Sequence, residues 1–426
     1  MDSITIEIPE ESNENELNGK SVCFLIASGF SVPYGFATVG TINDMFVNLK
    51  IDDFIILPDR HVMFSNGQED PNGWMNINQR HFFVEFIAHY YNNLPEGKNF
   101  HYEDFYDYYY SRYRGEDNDV IDDFCQSFRQ KHNIEDNGLN NTVNLLLSFN
   151  NIFTQLLASK LTRRKLYENG VHYGNYHPYD NFISYLNYLV DEGYVIHLFT
   201  LNHDILLDHI CSHTGLWEYY SDGYNDLGSP FYGDLTNKEN VDGKPDIEEI
   251  TTVYKVRSKT FTNKFENQIR LYKLHGSIDT HIMGIKGFDR PRIKNLFGVH
   301  DYFVEKKNEL DELVYERSMG NTFPDFLSGT TEKLRSYGDA YYSQLFEHLE
   351  RELPTCEKLA VIGYGFWDSG INKFLQEGII DQGIDVSVID PYEPRGPLYV
   401  SNKKSISHYE KDLKDVTVEE FKEIVI

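Results

Sequence analysis

Apolar residues fall into two rhythms along this chain. One is a set of short, unbroken runs that stop abruptly at small or polar residues. Val22-Cys23-Phe24-Leu25-Ile26-Ala27 stops at Ser28-Gly29, Tyr194-Val195-Ile196-His197-Leu198-Phe199 at Thr200, and Leu271-Tyr272-Lys273-Leu274 at His275-Gly276. Lys358-Leu359-Ala360-Val361-Ile362 stops at Gly363, and Ile384–Ile389 stops at Asp390-Pro391. Runs of this length, bounded by turn residues, predict strands buried on both faces, as in a parallel sheet. Residues 179–192 and about 340–353 carry helical spacing, and a helix is predicted to begin within 35–46. Strands alternating with helices predict an α/β chain on a Rossmann-like, doubly wound, mostly parallel sheet. The run ending at Ile389 is predicted as its last strand.

The second rhythm occupies about 60–170. RHFFVEFIAHYYNNL and TVNLLLSFNNIFTQLLASKL place apolar residues three and four apart, and NGQEDPNGW, EGK and EDNGLNN separate them. This predicts a helical insertion at 61–170. The sheet-forming unit then comes in parts, 19–60, 171–278 and 356–426, behind an acidic tail at 1–18. Residues 279–355 are predicted to be partly helical. HYEDFYDYYYSRYRGEDND mixes aromatic and acidic residues, which fits a core face and a solvated face better than a platform for nucleic-acid bases.

Charge narrows the partners. Lys and Arg number 39 against 67 Asp and Glu, a net charge of −28 over 426 residues. Such a field repels phosphate backbones and anionic bilayers, so direct binding to nucleic acid or membrane is not expected. The four cysteines, Cys23, Cys125, Cys211 and Cys356, form no CxxC pair. That predicts reduced thiols and neither a zinc ribbon nor a disulfide framework. The acidic first residues lack the basic and apolar parts of a signal peptide, and no apolar run is long enough to span a bilayer, so a cytoplasmic location is expected.

Candidate chemistry sits at the strand ends, where open α/β sheets bind ligands. The five ends are Ser28-Gly29-Phe30-Ser31, Thr200-Leu201-Asn202-His203-Asp204, His275-Gly276-Ser277, Gly363-Tyr364-Gly365 and Asp390. Gly29 can let a backbone approach a diphosphate, or the turn can be an ordinary strand-to-helix connection. Asn202 can bind both a hydroxyl and a water, while Asp204 can simply cap the following helix. His275 has the side chain of a general base at neutral pH, or of a hydrogen-bonded core histidine. Asp390 can accept hydrogen bonds from ribose hydroxyls. Asp368 and Asn372 can share a helix face and serve a ligand, or equally can simply cap the helix and be solvated. His203 and His209 read as structural or surface residues.

The motifs FLIASGFSVPYGFATVG, FTLNHD, YKLHGSID, FLSGTTEKL and LAVIGYGFWDSGIN, in this order, resemble bacterial sirtuin-like domains. The resemblance runs from about residue 22 to 390. It implies that ASGFS is the phosphate and nicotinamide loop, TLNHD the motif carrying a catalytic asparagine, and LHG the motif carrying the catalytic histidine. Ala27 and Ser28 depart from the family's usual Gly-Ala. No cysteine occurs in 279–355, where protein-deacylating sirtuins carry a four-cysteine zinc module. The resemblance therefore implies the zinc-less branch that hydrolyses NAD in bacterial anti-phage defence by abortive infection. Asn202 and His275 are its expected catalytic residues. Ala27, Ser28, Gly29, Phe30, Ser31, Thr200, Asp204, Gly363, Tyr364, Gly365 and Asp390 are its expected NAD-binding residues. It further implies a homo-oligomer, regulated by a separate protein such as a HerA-type ATPase or a phage-derived trigger. The insertion and 279–355 are the candidate assembly surfaces. An NAD-dependent protein deacylase and a non-catalytic NAD or ADP-ribose sensor are the alternatives.

Overall fold

The computed structural model describes residues 20–57, 62–65, 67, 73–134, 138–161, 176–224, 234–239, 250–256, 258–283, 292–295, 302–307, 310–318, 322–326 and 340–426. The acidic tail 1–18, the end of the insertion at 162–170, and all of FLSGTTEKL after Phe326 lie outside these residues.

The chain begins with β1 (Ser21–Ile26), α1 (Val39–Asn48) and a small hairpin of β2 (Phe54–Ile56) and β3 (Val62–Phe64). Four helices follow: α2 (Ile77–Asn92), α3 (Tyr102–Tyr113), α4 (Asp119–Lys131) and α5 (Thr142–Leu161). Then come α6 (Asp180–Asp191), β4 (Val195–Thr200), α7 (Leu206–His213), β5 (Tyr220–Ser221), β6 (Gly223–Tyr224), β7 (Asp234–Glu239), β8 (Ile250–Val256), β9 (Ser258–Lys264) and β10 (Ile269–Lys273). The strands continue with β11 (Gly276–Met283), β12 (Arg292–Asn295), β13 (Tyr302–Lys307), β14 (Leu313–Ser318) and β15 (Thr322–Phe326). The last strands are β16 (Lys358–Ile362), β17 (Asp385–Ile389) and β18 (Ile406–Tyr409), with helices at Ala340–Glu352, Ser369–Leu375, Pro397–Asn402 and Val418–Val425.

Seven strands form one parallel sheet in the order β18-β17-β16-β1-β4-β10-β5. Alternate residues of β1 feed opposite cores. Val22, Phe24 and Ile26 pack with α6, α7 and the helix Val418–Val425. Cys23 and Leu25 pack with the helices Ala340–Glu352 and Ser369–Leu375. Helices therefore cover both faces, as in a doubly wound, Rossmann-like sheet, and each fully buried Leu, Ile or Phe contributes about 1.5–3 kcal/mol. β1 and β16 are neighbours from which the chain runs to opposite sides of the sheet, a topological switch point. The sheet extends one strand past Ile389, to β18, whose four residues ISHY are too short and polar to stand out as a strand in sequence.

Register aligns the strand ends. Ile26 lies opposite both Thr200 and Ile362, Thr200 opposite Lys273, and Ile362 opposite Ile389. The ladder continues one residue further. Ala27 N donates to Ile362 O at 3.0 Å, Leu201 N to Ile26 O at 2.9 Å, Leu274 N to Thr200 O at 3.0 Å and Gly363 N to Ile389 O at 3.2 Å. The residues that follow thus leave the sheet at one level.

Residues 77–161 carry the helices predicted for the insertion. Their core is aromatic, with Phe46 stacked on Phe153 (4.6 Å between centroids) and Phe83 on Phe149 (4.7 Å). Of 279–355, predicted to be partly helical, Ala340–Glu352 is helix, whereas the described residues before it are largely antiparallel strand. One sheet runs β15-β11-β12-β9-β6 and another β14-β13-β8-β7. The misreading has a physical source. Asp279, Arg292 and Lys294 resemble a solvated face in sequence, but here they are largely buried. Lys294 Nζ reaches Asp208 (2.6 Å), Asp222 (2.8 Å) and Asp279 (3.5 Å), and Lys273 Nζ reaches Asp208 at 3.1 Å. Burial opposes the Asp208 charge, yet the two lysines hold its carboxyl well below the usual range. This network joins β12 and β11 to α7 and β10.

The thiols also differ from expectation. Cys23 of β1 and Cys356, just ahead of neighbouring β16, form a disulfide with Cα atoms 6.0 Å apart. They are 333 residues apart in sequence, so only the strand pairing brings them together. Cys125 and Cys211 are buried free thiols. Among the described residues no helix is long and apolar enough to cross a membrane.

Candidate functional site

The aligned strand ends open onto a cavity of about 620 Å³. Ala27, Ser28 and Ser31 line it from the turn after β1, and Asn202, His203 and Asp204 from the turn after β4. His275 follows β10, and Gly363, Tyr364, Gly365, Trp367 and Asp368 follow β16. Phe36, Ala37, Val39 and Ile42 form an apolar wall, and His101, Tyr102, Glu103 and Asp104 face it from the start of α3.

A chain of buried hydrogen bonds links the first two turns. Ser31 Oγ donates to Asp204 Oδ2 at 2.7 Å, and Asn202 Nδ2 donates to Ser31 Oγ at 3.0 Å and to Ala27 O at 3.1 Å. Thr200 Oγ1 accepts from Asn202 N at 3.1 Å. These bonds fix the Asn202 amide with its carbonyl oxygen as the remaining acceptor. Asp204 Oδ1 also accepts from Leu206 N at 3.0 Å, a turn bond that leads into α7, whose N-cap position is Ile205. Shaping the entry to the helix and a place in the cavity wall are thus combined in one side chain. Burial pushes the Asp204 carboxyl above its ordinary value, against the opposing pull of Lys273 and the Ser31 hydrogen bond.

The glycine of the first turn acts through contact. Gly29 N donates to Gly363 O at 3.1 Å, Phe30 N to Ala27 O at 2.9 Å and Ser31 N to Ser28 O at 3.1 Å. These N–H groups are committed within the turns, so Gly29 does not offer its own to a diphosphate. Its missing side chain instead lets the ends of β1 and β16 touch. Beyond Gly363, Tyr364 Oη donates to Asn372 Oδ1 at 3.0 Å and Asn372 Nδ2 to Phe366 O at 2.9 Å, which shapes the loop along the cavity.

His275 is buried, and its Nε2 lies 3.4 Å from Asp368 Oδ2. The His203 ring is 6.1 Å from that of His275 and 5.0 Å from Phe326. His203, expected to be structural or superficial, is therefore a cavity residue; His209 is buried on α7, outside the cavity wall.

Of the sequence-predicted residues, Ala27, Ser28, Ser31, Asn202, Asp204, His275, Gly363, Tyr364 and Gly365 come together around the cavity. Gly29, Phe30, Thr200 and Asp390 do not line it. Phe30 is a core side chain, its ring 4.9 Å from Tyr179. Thr200 supports Asn202 from behind. Asp390 Oδ1 accepts from Tyr392 N at 2.8 Å and turns the chain after β17. Sequence reasoning missed His101, Glu103 and Asp104, whose distance along the chain gave no signal. Asp368 was legible as a helix-face residue open to capping or to a ligand role, and the structure places it in the cavity wall. Among the described residues no group of three or more His, Cys, Asp or Glu side chains can hold a metal ion. No protein-family model matches this chain, and no curated protein matches it.

Proposed function

We propose that this protein is an NAD glycohydrolase with a sirtuin-like site, cleaving the nicotinamide–ribose bond to release nicotinamide and ADP-ribose. The observation that carries this reading is the convergence of Asn202 and His275, from separate strand ends, on one cavity at a topological switch point.

Several features fit NAD as substrate. A cavity of about 620 Å³ is within the range of small-molecule and cofactor sites. Glu103, Asp104, Asp204 and Asp368 ring it with carboxyl groups, which favour the cationic nicotinamide end and an oxocarbenium-like transition state.

In the proposed reaction Asn202 accepts a hydrogen bond from a ribose hydroxyl or the attacking water through its carbonyl oxygen. His275 takes the proton from water directly, or through a ribose hydroxyl. The water oxygen bonds to the anomeric carbon, and the carbon–nitrogen bond breaks. Nicotinamide keeps the electron pair of that bond, leaves as a neutral base and needs no general acid. Cellular NAD depletion as anti-phage defence, in an assembly with a partner protein, is the biological setting we infer from the motif resemblance.

The test is incubation of the purified full chain with NAD and chromatographic quantification of nicotinamide and ADP-ribose. Equal amounts of the two products should form. His275→Ala should lose about 10²–10⁴ in rate, the usual worth of acid–base catalysis, and Asn202→Ala a similar factor. Wild-type turnover in either folded variant would contradict the assignment.

A further inference from the structure

We propose that Asp368 is a positioning residue for His275, orienting the imidazole and offsetting the positive charge it acquires. The inference rests on the reading of His275 as general base. It begins from how the carboxylate is held. Asp368 is the N-cap of the helix Ser369–Leu375, and its Oδ1 accepts from Gly370 N at 2.9 Å and Ile371 N at 3.3 Å. One oxygen bound by two main-chain donors leaves the side chain little rotational freedom. The direction of the other oxygen is therefore set by the helix. Tyr364 Oη, whose one proton is directed to Asn372 Oδ1, also lies 3.2 Å from the main-chain oxygen of Asp368.

That second oxygen, Oδ2, is the atom 3.4 Å from His275 Nε2, with the two side chains only 10% and 4% exposed. Water screens such a pair little, so a carboxylate and an imidazolium held here attract each other strongly. Catalytic hydrogen bonds are often long or poorly aligned before substrate binds, and this pair is close enough for a reorientation of the ring to align one. The carboxylate favours the tautomer with its proton on Nε2. When His275 accepts the substrate-side proton, the ring becomes an imidazolium whose charge Asp368 balances. No proton needs to pass to Asp368.

Other charged and titratable groups face this region. His203 is 6.1 Å away ring to ring, and Asp204, His101, Glu103 and Asp104 share the cavity. Lys273 stands two residues before His275 but directs its ammonium to Asp204 O and Asp208. Asp368 brings a carboxylate oxygen to 3.4 Å from the His275 ring nitrogen itself.

The experiment compares full-length wild type with Asp368→Asn and Asp368→Ser, both of which keep an oxygen able to cap the helix. Thermal melting establishes that each is folded. The His275 ring titration is followed by NMR, with its resonance assigned by its loss in His275→Gln. Nearby opposite charge moves a titration by about 1–3 pH units, so its midpoint should fall by about one unit in both variants. With NAD, kcat should fall about 10- to 100-fold while KM stays within about two-fold, the pattern of an interaction that acts in the transition state. Asp368→Glu should restore part of kcat. An unchanged His275 midpoint in folded Asp368→Asn and Asp368→Ser overturns the inference. The NMR reading needs no turnover. A wild type that fails to cleave NAD therefore bears on the functional reading alone.

Discussion

Gly29 and Gly363 lie backbone against backbone: a Cβ on Gly29 would come 2.6 Å from Gly363 Cα, and one on Gly363 would come 2.5 Å from Gly29 Cα. Gly363 also has a φ of +65°, which side-chain-bearing residues rarely adopt. The contact joins the turns after β1 and β16, which together shape the cavity floor. Gly29→Ala and Gly363→Ala should each lower stability by about 1–3 kcal/mol and impair ligand binding, because the blocking atoms are main chain and cannot swing aside. Denaturant unfolding and calorimetric NAD binding measure both effects. Wild-type values in both would show that the turns can part without consequence.

Ser31 sits between Asn202 and Asp204. Ser31→Ala removes a donor from a buried carboxylate and an acceptor from a buried amide. Such losses cost about 1–3 kcal/mol. Turnover should fall as well, since the Asn202 amide is no longer held on that side. Ser31→Thr, which keeps the hydroxyl, should retain more of both. The comparison of the two variants by denaturant unfolding and NAD turnover checks this.

The Lys294 ammonium is opposed by burial but held well above the usual lysine value by Asp208, Asp222 and Asp279. Lys294→Met keeps the aliphatic bulk and deletes the charge, leaving these acids with Lys273. Removing one partner from a buried ionic network typically costs about 3–5 kcal/mol. Chemical denaturation should show this loss, whereas a change below the scatter of the measurement would mean that the acids are solvated or simply protonated.

Acid stability should depend on His348. Burial lowers its pKa to about 4, assisted by Arg351, whose guanidinium donates to Nδ1 at 2.8 Å; Nε2 meets Asn263 Oδ1 at 2.9 Å. The unfolded histidine titrates near 6.5. Between about pH 6.5 and 4, the unfolded chain binds a proton that the folded chain refuses. Stability is therefore full above the window and falls as pH drops through it, by up to about 1.4 kcal/mol per pH unit from this residue. His348→Gln should flatten that slope by about one proton's worth. His197, lowered to about 3 by burial, keeps its own contribution in the variant.

The central sheet is legible in sequence because parallel strands are buried on both faces and leave continuous apolar runs. β1, β4, β10, β16 and β17 all carry that signature, and the ends of the first four mark nine of the predicted residues that surround the cavity. β18 does not, because ISHY at the sheet edge is short and polar. The strands between Gly276 and Phe326 escape notice because Lys294 is buried by charge pairing and Arg292 against the rings of Tyr341 and Tyr342, which no local pattern reveals. Asp368 looks like a helix cap in sequence, which it is; only the packing of its helix against the end of β10 shows what its second oxygen meets. The acids of α3 were hidden for a related reason, since the insertion folds back over the strand ends from a distant part of the chain.

The most direct measurement of the central claim is the NAD content of cells expressing this chain, with and without its neighbouring genes, during phage challenge. Extracts are quantified by chromatography, with His275→Ala expressed to the same level as the comparison. The account predicts that wild type lowers the NAD pool by about ten-fold or more and accumulates nicotinamide and ADP-ribose, while His275→Ala leaves the pool intact. Equal NAD pools in the two, with both proteins folded and the challenge under way, would contradict it.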